Sequence, residues 1–128
     1  MPGKIETLNY VILLCEDISR MKAFYHEILG VPIERDWEDW IELRLGAVLL
    51  TLRPRGRPYD GPSITGSAGL QLAFRVEPPE VEGWHAFLLQ KHVEILDPPH
   101  DWDYGHRTLF FKDTEGNILE IYADIQRG

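Results

Sequence analysis

The chain has 128 residues, 44% hydrophobic and 27% charged, which fits one ordinary folded domain and argues against wholesale disorder. Its 13 basic side chains face 21 acidic ones, a net charge of -8 that repels phosphate backbones and disfavours a nucleic-acid partner. The single cysteine, Cys15, excludes an intrachain disulfide framework, and no apolar run approaches the roughly 20 residues that span a bilayer.

Met1-Pro2-Gly3-Lys4-Ile5-Glu6 lacks the apolar core of a secretory leader, so the expectation is a cytoplasmic protein with no membrane partner. The charge is uneven: residues 1–64 carry 8 basic and 10 acidic side chains, whereas 65–128 carry 5 and 11.

Leu8 to Cys15 holds a continuous apolar run, Tyr10-Val11-Ile12-Leu13-Leu14-Cys15, too short for a helix and suited to a strand covered on both faces. Glu16-Asp17 breaks the run, and Asp17 or Ser19 is placed to cap a helix. Ile18, Met21, Phe24, Tyr25, Ile28 and Leu29 recur at helical spacing, and Gly30 before Val31-Pro32 supplies the stop. Ile33–Trp37 and Trp40–Leu45 then flank Glu38-Asp39 as a hairpin. In the second of these strands Ile41, Leu43 and Leu45 alternate with Trp40, Glu42 and Arg44, giving one apolar and one polar face. After the turn at Gly46, Ala47–Leu52 reads as a further strand.

Arg53 to Gly69, with Pro54, Pro58 and Pro62 among four glycines, is predicted to be an irregular connection. Its cluster Arg53, Arg55 and Arg57 reads as a solvated strap. Then the pattern restarts. Leu70–Val76 is a strand, Pro78-Pro79 precedes a helix through Gln90, and Val93–Leu96, Arg107–Phe111 and Ile118–Tyr122 are three more strands. Thr114-Glu115-Gly116-Asn117 is the turn between the last two.

The halves overlay. Leu8-Asn9 matches Leu70-Gln71 at an offset of 62, Ala23-Phe24 matches Ala86-Phe87 at 63, and Gly46 matches Gly116 at 70. The chain is therefore expected to be a single domain, 1–128, of two modules: one over about 5–53, a connection over 54–69, and a second over about 70–124.

Leu8-Asn9-Tyr10-Val11 with Glu16-Asp17, Ala23-Phe24-Tyr25, Ile28-Leu29-Gly30, Gln71 to Val76 and Phe111 to Glu120 together resemble the vicinal-oxygen-chelate superfamily. That superfamily contains glyoxalase I, bleomycin-resistance proteins and extradiol dioxygenases. Thr114 stands where proline is usual. The resemblance implies an α+β fold of two βαβββ modules, forming a curled mixed sheet around a cavity with helices outside. It also implies a homodimer and a small-molecule ligand.

In metal-dependent members the ligands come from the first and fourth strands of each module. Carried over, these positions are Asn9, Leu50, Gln71 and Glu120. Imidazoles are missing from the set, and only Glu120 is a charged ligand type. Neutral amides compensate a divalent ion poorly, so the expectation is no metal cofactor. The alternative is a weakly bound divalent ion on Glu120, Gln71 and Asn9. Without metal, Asn9, Gln71 and Glu120 would form a hydrogen-bonded polar floor.

His26, His85 and His92 fall on or beside helices and are read as packing residues. His100 and His106 flank Asp101-Trp102-Asp103-Tyr104-Gly105, read as an extra loop able to cover the cavity mouth. An inward His106 would be the best general acid or base, with Glu120 the other catalytic candidate. Drug-binding relatives hold planar or cationic ligands between rings, which makes Trp40, Glu42, Arg44, Trp102, Tyr104 and Tyr122 ligand-binding candidates beside Asn9 and Gln71. Two functions stay open: a binding protein with a degenerate metal site that sequesters an aromatic or cationic ligand, or a metal-dependent lyase, isomerase or dioxygenase using Glu120.

Overall fold

The computed structural model describes residues 2–63 and 70–126, so Gly66 and Gly69 of the expected connection lie outside the described residues. The chain divides into two compact units, Met1–Ser63 and Ile64–Gly128. Each repeats one βαβββ plan.

In the first unit β1 (Tyr10–Cys15) leads into α1 (Ile18–Lys22), whose helical path continues through Ala23–Ile28 in the wider π geometry. Asp17 is the cap, its carboxylate accepting the Arg20 amide at 3.0 Å. The π turns set the Phe24 and Tyr25 rings edge to face at 5.3 Å, both buried. β2 (Ile33–Asp36), β3 (Ile41–Leu45) and β4 (Val48–Pro54) follow, and the sheet order is β1-β4-β3-β2 with β1 and β4 parallel.

Alternation decides which side chains are covered. Leu13, Cys15, Leu43, Leu50 and Leu52 are buried in register on the face under α1, each large one stabilising by about 1.5–3 kcal/mol. Tyr10, Ile12, Thr51, Glu42 and Arg44 line the opposite face.

The second unit runs β5 (Gln71–Arg75), α2 (Glu80–Gln90), β6 (Ile95–Asp101), β7 (His106–Lys112) and β8 (Ile118–Asp124), in the order β5-β8-β7-β6. Leu109, Phe111, Leu119, Ile121 and Ala123 pack with Val81 and Leu88 of α2. His106, Thr108, Phe110, Glu120, Tyr122 and Asp124 point to the other face. Both sheets are open four-stranded mixed sheets rather than closed barrels.

Three expectations are corrected. The strand expected to stop at Leu96 continues to Asp101, because an edge strand tolerates Pro98 and Pro99 in the irregularity of register between Asp97 and His100. The segment read as a lid is consequently a tight hairpin tip: Trp102 donates its amide to the His106 carbonyl at 2.8 Å, and Gly105 to that of Trp102 at 3.0 Å. Nor is the arginine cluster a solvated strap. Arg53 is buried in a two-pronged ion pair with Asp60 (2.6 and 2.9 Å), and Arg55 holds Glu16 at 2.8 Å.

The two halves also overlay differently from the sequence match. Leu49 donates to the Asn9 carbonyl just as Ile118 donates to that of Leu70, and the paired residues that follow are Tyr10–Leu49 and Gln71–Ile118. The modules therefore superpose at offsets of 61 (Tyr10 to Gln71) and 69 (Thr51 to Glu120), one residue from the sequence match. A one-residue slip exchanges the faces of a strand.

Candidate functional site

The face of the second sheet turned away from α2 gathers most of the expected site residues. Gln71, first in β5, and Glu120, in the neighbouring parallel β8, share this face. The Gln71 Nε2 donates to Glu120 Oε1 at 3.3 Å. Two residues further along β8 stands Tyr122, whose ring lies 4.8 Å from that of His106. From there the rings continue: His106 to Tyr104 at 5.2 Å, Tyr104 to Trp102 at 6.0 Å with only 17° between planes, and Trp102 to His100 at 4.4 Å. The Trp102 indole N–H donates to the Thr108 hydroxyl at 2.7 Å, folding the hairpin tip back over the sheet. Even so, Trp102 and Tyr104 stay 38% and 63% exposed.

His106 Nε2 lies 3.2 Å from Asp124 Oδ1, and Arg75 lies beyond Asp124 at 3.9 Å. His106 is in register with Asp124, four residues from Glu120, which is about 13 Å along the strand.

In the first unit Trp40 and Glu42 form a pair, the indole N–H donating to Glu42 Oε2 at 2.9 Å. Arg44 shares their face but is engaged by Glu34. Asn9 is exposed, one residue before β1, and among the described residues its side chain makes no hydrogen bond. Of the polar floor expected from Asn9, Gln71 and Glu120, the part within the second unit is the Gln71–Glu120 bond.

By the internal superposition Tyr10 matches Gln71 and Thr51 matches Glu120, while Leu50 lies in the core. Sequence reasoning missed Tyr10 in this role. The continuous apolar run Tyr10–Cys15 carries no alternation that would set this register; in the structure an offset of 61 sets buried Leu13 and Cys15 against half-buried Phe74 and Val76.

Asp60 was also missed. It accepts from Arg53 and from the Gly56 and Arg57 amides, and its carboxyl is held far below the ordinary carboxylate range chiefly by the Arg53 guanidinium.

These residues do not suit a divalent transition-metal ion. Beside Gln71 the second sheet offers the Glu120 carboxylate, already bonded to that amide, while the His106 imidazole is paired with Asp124 four residues along β8. Among the described residues no three His, Cys, Asp or Glu side chains converge.

The model of the Glyoxalase/Bleomycin resistance protein/Dioxygenase superfamily matches residues 7–121. The chain belongs to that superfamily. It is similar to the metallothiol transferase FosB of Staphylococcus epidermidis, 25% identical over 119 residues that make up 93% of this chain and 84% of FosB. Among solved structures, a glyoxalase/bleomycin resistance protein/dioxygenase from Nocardioides superposes with a TM-score of 0.81 at 19% identity, covering 98% of this chain and 88% of that one. The fosfomycin resistance protein FosX of Listeria monocytogenes does so with 0.76 at 18%, covering 94% of each. Among the described residues no helix is long and apolar enough to cross a membrane.

Proposed function

We propose that this chain is a small-molecule-binding member of the superfamily whose metal position has degenerated, and that it takes a planar aromatic ligand on the ring row of the second sheet. The supporting observation is the stacked, exposed pair Trp102–Tyr104, continued by His106 and Tyr122 toward the Gln71–Glu120 pair. Rings left in water next to a few fixed polar groups are what a flat ligand needs for stacking and orientation. Trp102 and Tyr104 would sandwich or extend the stack, Tyr122 and His106 would form the wall, and Gln71 with Glu120 would bind a polar edge. No proton-transfer step is needed for this role.

Quinoline titrated against intrinsic tryptophan fluorescence tests it. Saturable quenching that Trp102→Phe removes is expected. Absence of saturation up to about 1 mM would sink the reading.

A second reading is favoured by the similarity to FosB across most of the chain: a metal-dependent group-transfer enzyme. The superfamily's lyase, isomerase and dioxygenase chemistries stand with it. Elemental analysis of protein purified without chelators separates the two, because one equivalent of a divalent metal would favour the enzyme. The homodimer implied by the resemblance belongs to the same proposal, as do the cytoplasmic location expected from the sequence and the absence of a nucleic-acid partner. Light scattering reads the oligomeric state.

A further inference from the structure

We infer that Arg107 is the positioning residue of the ring row: its guanidinium, closed on Asp101 behind the hairpin, sets the direction in which the tip presents Trp102 and Tyr104. The role rests on the ring-row binding proposed above. Arg107 Nε and Nη2 donate to the two Asp101 carboxylate oxygens at 2.7 and 3.1 Å, and Nη1 donates to the Pro78 carbonyl at 3.3 Å. One side chain thus joins the end of β6, the start of β7 and the segment that leads into α2. Alternation turns Arg107 toward α2, away from His106 and Thr108, so a ligand stacked on the rings does not touch it.

The hairpin needs such a tie because its own ladder is interrupted. β6 is the edge strand of its sheet, and its register breaks between Asp97 and His100, where Pro98 and Pro99 have no N–H to donate. Pairing resumes at His100–Thr108 and Asp101–Arg107, the last two pairs before the tip. On the ring side Thr108 draws the Trp102 indole onto the sheet, and the Ile125 amide holds the Gly105 carbonyl at 2.9 Å. The strand that enters the tip is held from the other side, across its last pair, by the Arg107 fork.

A two-pronged guanidinium–carboxylate pair fixes distance and plane together, which a single point charge does not. Its hydrogen bonds also hold the Asp101 carboxyl below the ordinary carboxylate range, so the pair stays ionised at neutral pH. Half-exposed ion pairs add little to folding, so the consequence of this one lies in where the rings stand. Rings already stacked at the right angle spare a flat ligand the cost of ordering them.

The test is a double-variant cycle on the full chain with two readouts. Arg107→Met is expected to weaken quinoline about fivefold, and Tyr104→Ala to cost less than about 1.5-fold more in that background. Near-ultraviolet circular dichroism reads the rings without ligand: the change that Tyr104→Ala causes in the original chain should vanish in Arg107→Met. Arg107→Lys keeps the charge without the fork and should behave like Arg107→Met. Lys112→Met breaks the Lys112–Glu94 pair at the other end of β7 and should leave affinity within about 1.5-fold. Should Arg107→Met fail to fold, Asp101→Asn opens the same clamp from its more exposed side, with both readouts expected to move in the same direction. Unchanged quinoline affinity in the folded variant, an equal loss in Lys112→Met, or full rescue by lysine would overturn the inference. If the original chain does not bind quinoline, the ring-row reading fails on its own. The dichroism then decides alone, and a Tyr104→Ala change that survives in Arg107→Met overturns the positioning role.

Discussion

Gln71 and Glu120 bond side chain to side chain at 3.3 Å across the parallel pair of β5 and β8. The amide supplies one neutral donor and leaves the carboxylate charge uncompensated, so Glu120 acts on a ligand mainly through its charge. Glu120→Gln is therefore expected to leave quinoline affinity within about threefold of the original. It should also cut any preference for N-methylquinolinium over quinoline by about 10-fold, the scale of one charge near a half-exposed surface. Parallel fluorescence titrations of the two probes check this. Loss of quinoline binding in the variant would show that Glu120 holds the pocket's shape instead.

Trp102 and Tyr104 stack together but are held differently, and the difference is measurable. Trp102 bonds the buried Thr108 hydroxyl at 2.7 Å, so Trp102→Phe should lower stability by about 1 kcal/mol in urea unfolding. Tyr104 is the more exposed ring, and Tyr104→Ala should leave stability within about 0.5 kcal/mol. The same Tyr104→Ala change is expected to weaken quinoline about fivefold if the two rings bind as one stack.

The elements were legible because their periods are local. The apolar stripe from Ile18 to Leu29 and the alternation of Ile41, Leu43 and Leu45 depend only on neighbours in sequence. Register is different, because hydrogen bonds to another strand set it. The similarity of Leu8-Asn9 to Leu70-Gln71 pointed to Asn9, whereas the ladder pairs Tyr10 in that place. Residue chemistry without register likewise hid the Arg53–Asp60 clamp. Alternation with proline and glycine suggested a wet strap, and only the chain's return at Asp60 buries the guanidinium. The ring row was half visible: Trp102, Tyr104 and His106 stand out in sequence, but their stacking required β6 to run through Pro98-Pro99 as an edge strand.

The Arg53–Asp60 clamp makes a signed prediction about acid. Arg53, and then the Gly56 and Arg57 amides, hold the Asp60 carboxyl well below its ordinary 3.8 in the folded chain. A folded value below the unfolded one stabilises fully above the unfolded value and is lost as pH falls from there toward the folded value. Asp36 and Asp101, lowered by Lys22 and Arg107, add slope in the same window, so a difference measurement is needed. Asp60→Asn should melt lower than the original chain near neutral pH. The gap should narrow from about pH 4 down to about pH 2. A gap that stays constant across that range would mean that Asp60 stabilises by shape rather than by charge.

Thr114 marks a place where the chain can be improved. Its hydroxyl oxygen is buried and has no hydrogen-bond partner, at the second position of the turn that Gly116 closes by donating to the Asp113 carbonyl at 3.2 Å. The turn is already fixed by Asp113, whose carboxylate accepts the Glu115 and Asn117 amides at 2.9 and 3.0 Å. Gly116, at φ 91°, supplies the left-handed residue. Proline favours that second position, because its ring presets φ and removes freedom from the unfolded chain. Thr114→Pro also deletes the unsatisfied hydroxyl, so both effects act in one direction. The expected gain is about 0.5–1 kcal/mol, or a melting point higher by ~2–5 °C, with the ligand titrations unchanged. Thr114→Val separates the contributions, because it removes the hydroxyl without touching φ. Should Thr114→Pro destabilise while Thr114→Val does not, the backbone at 114 departs from the geometry proline demands.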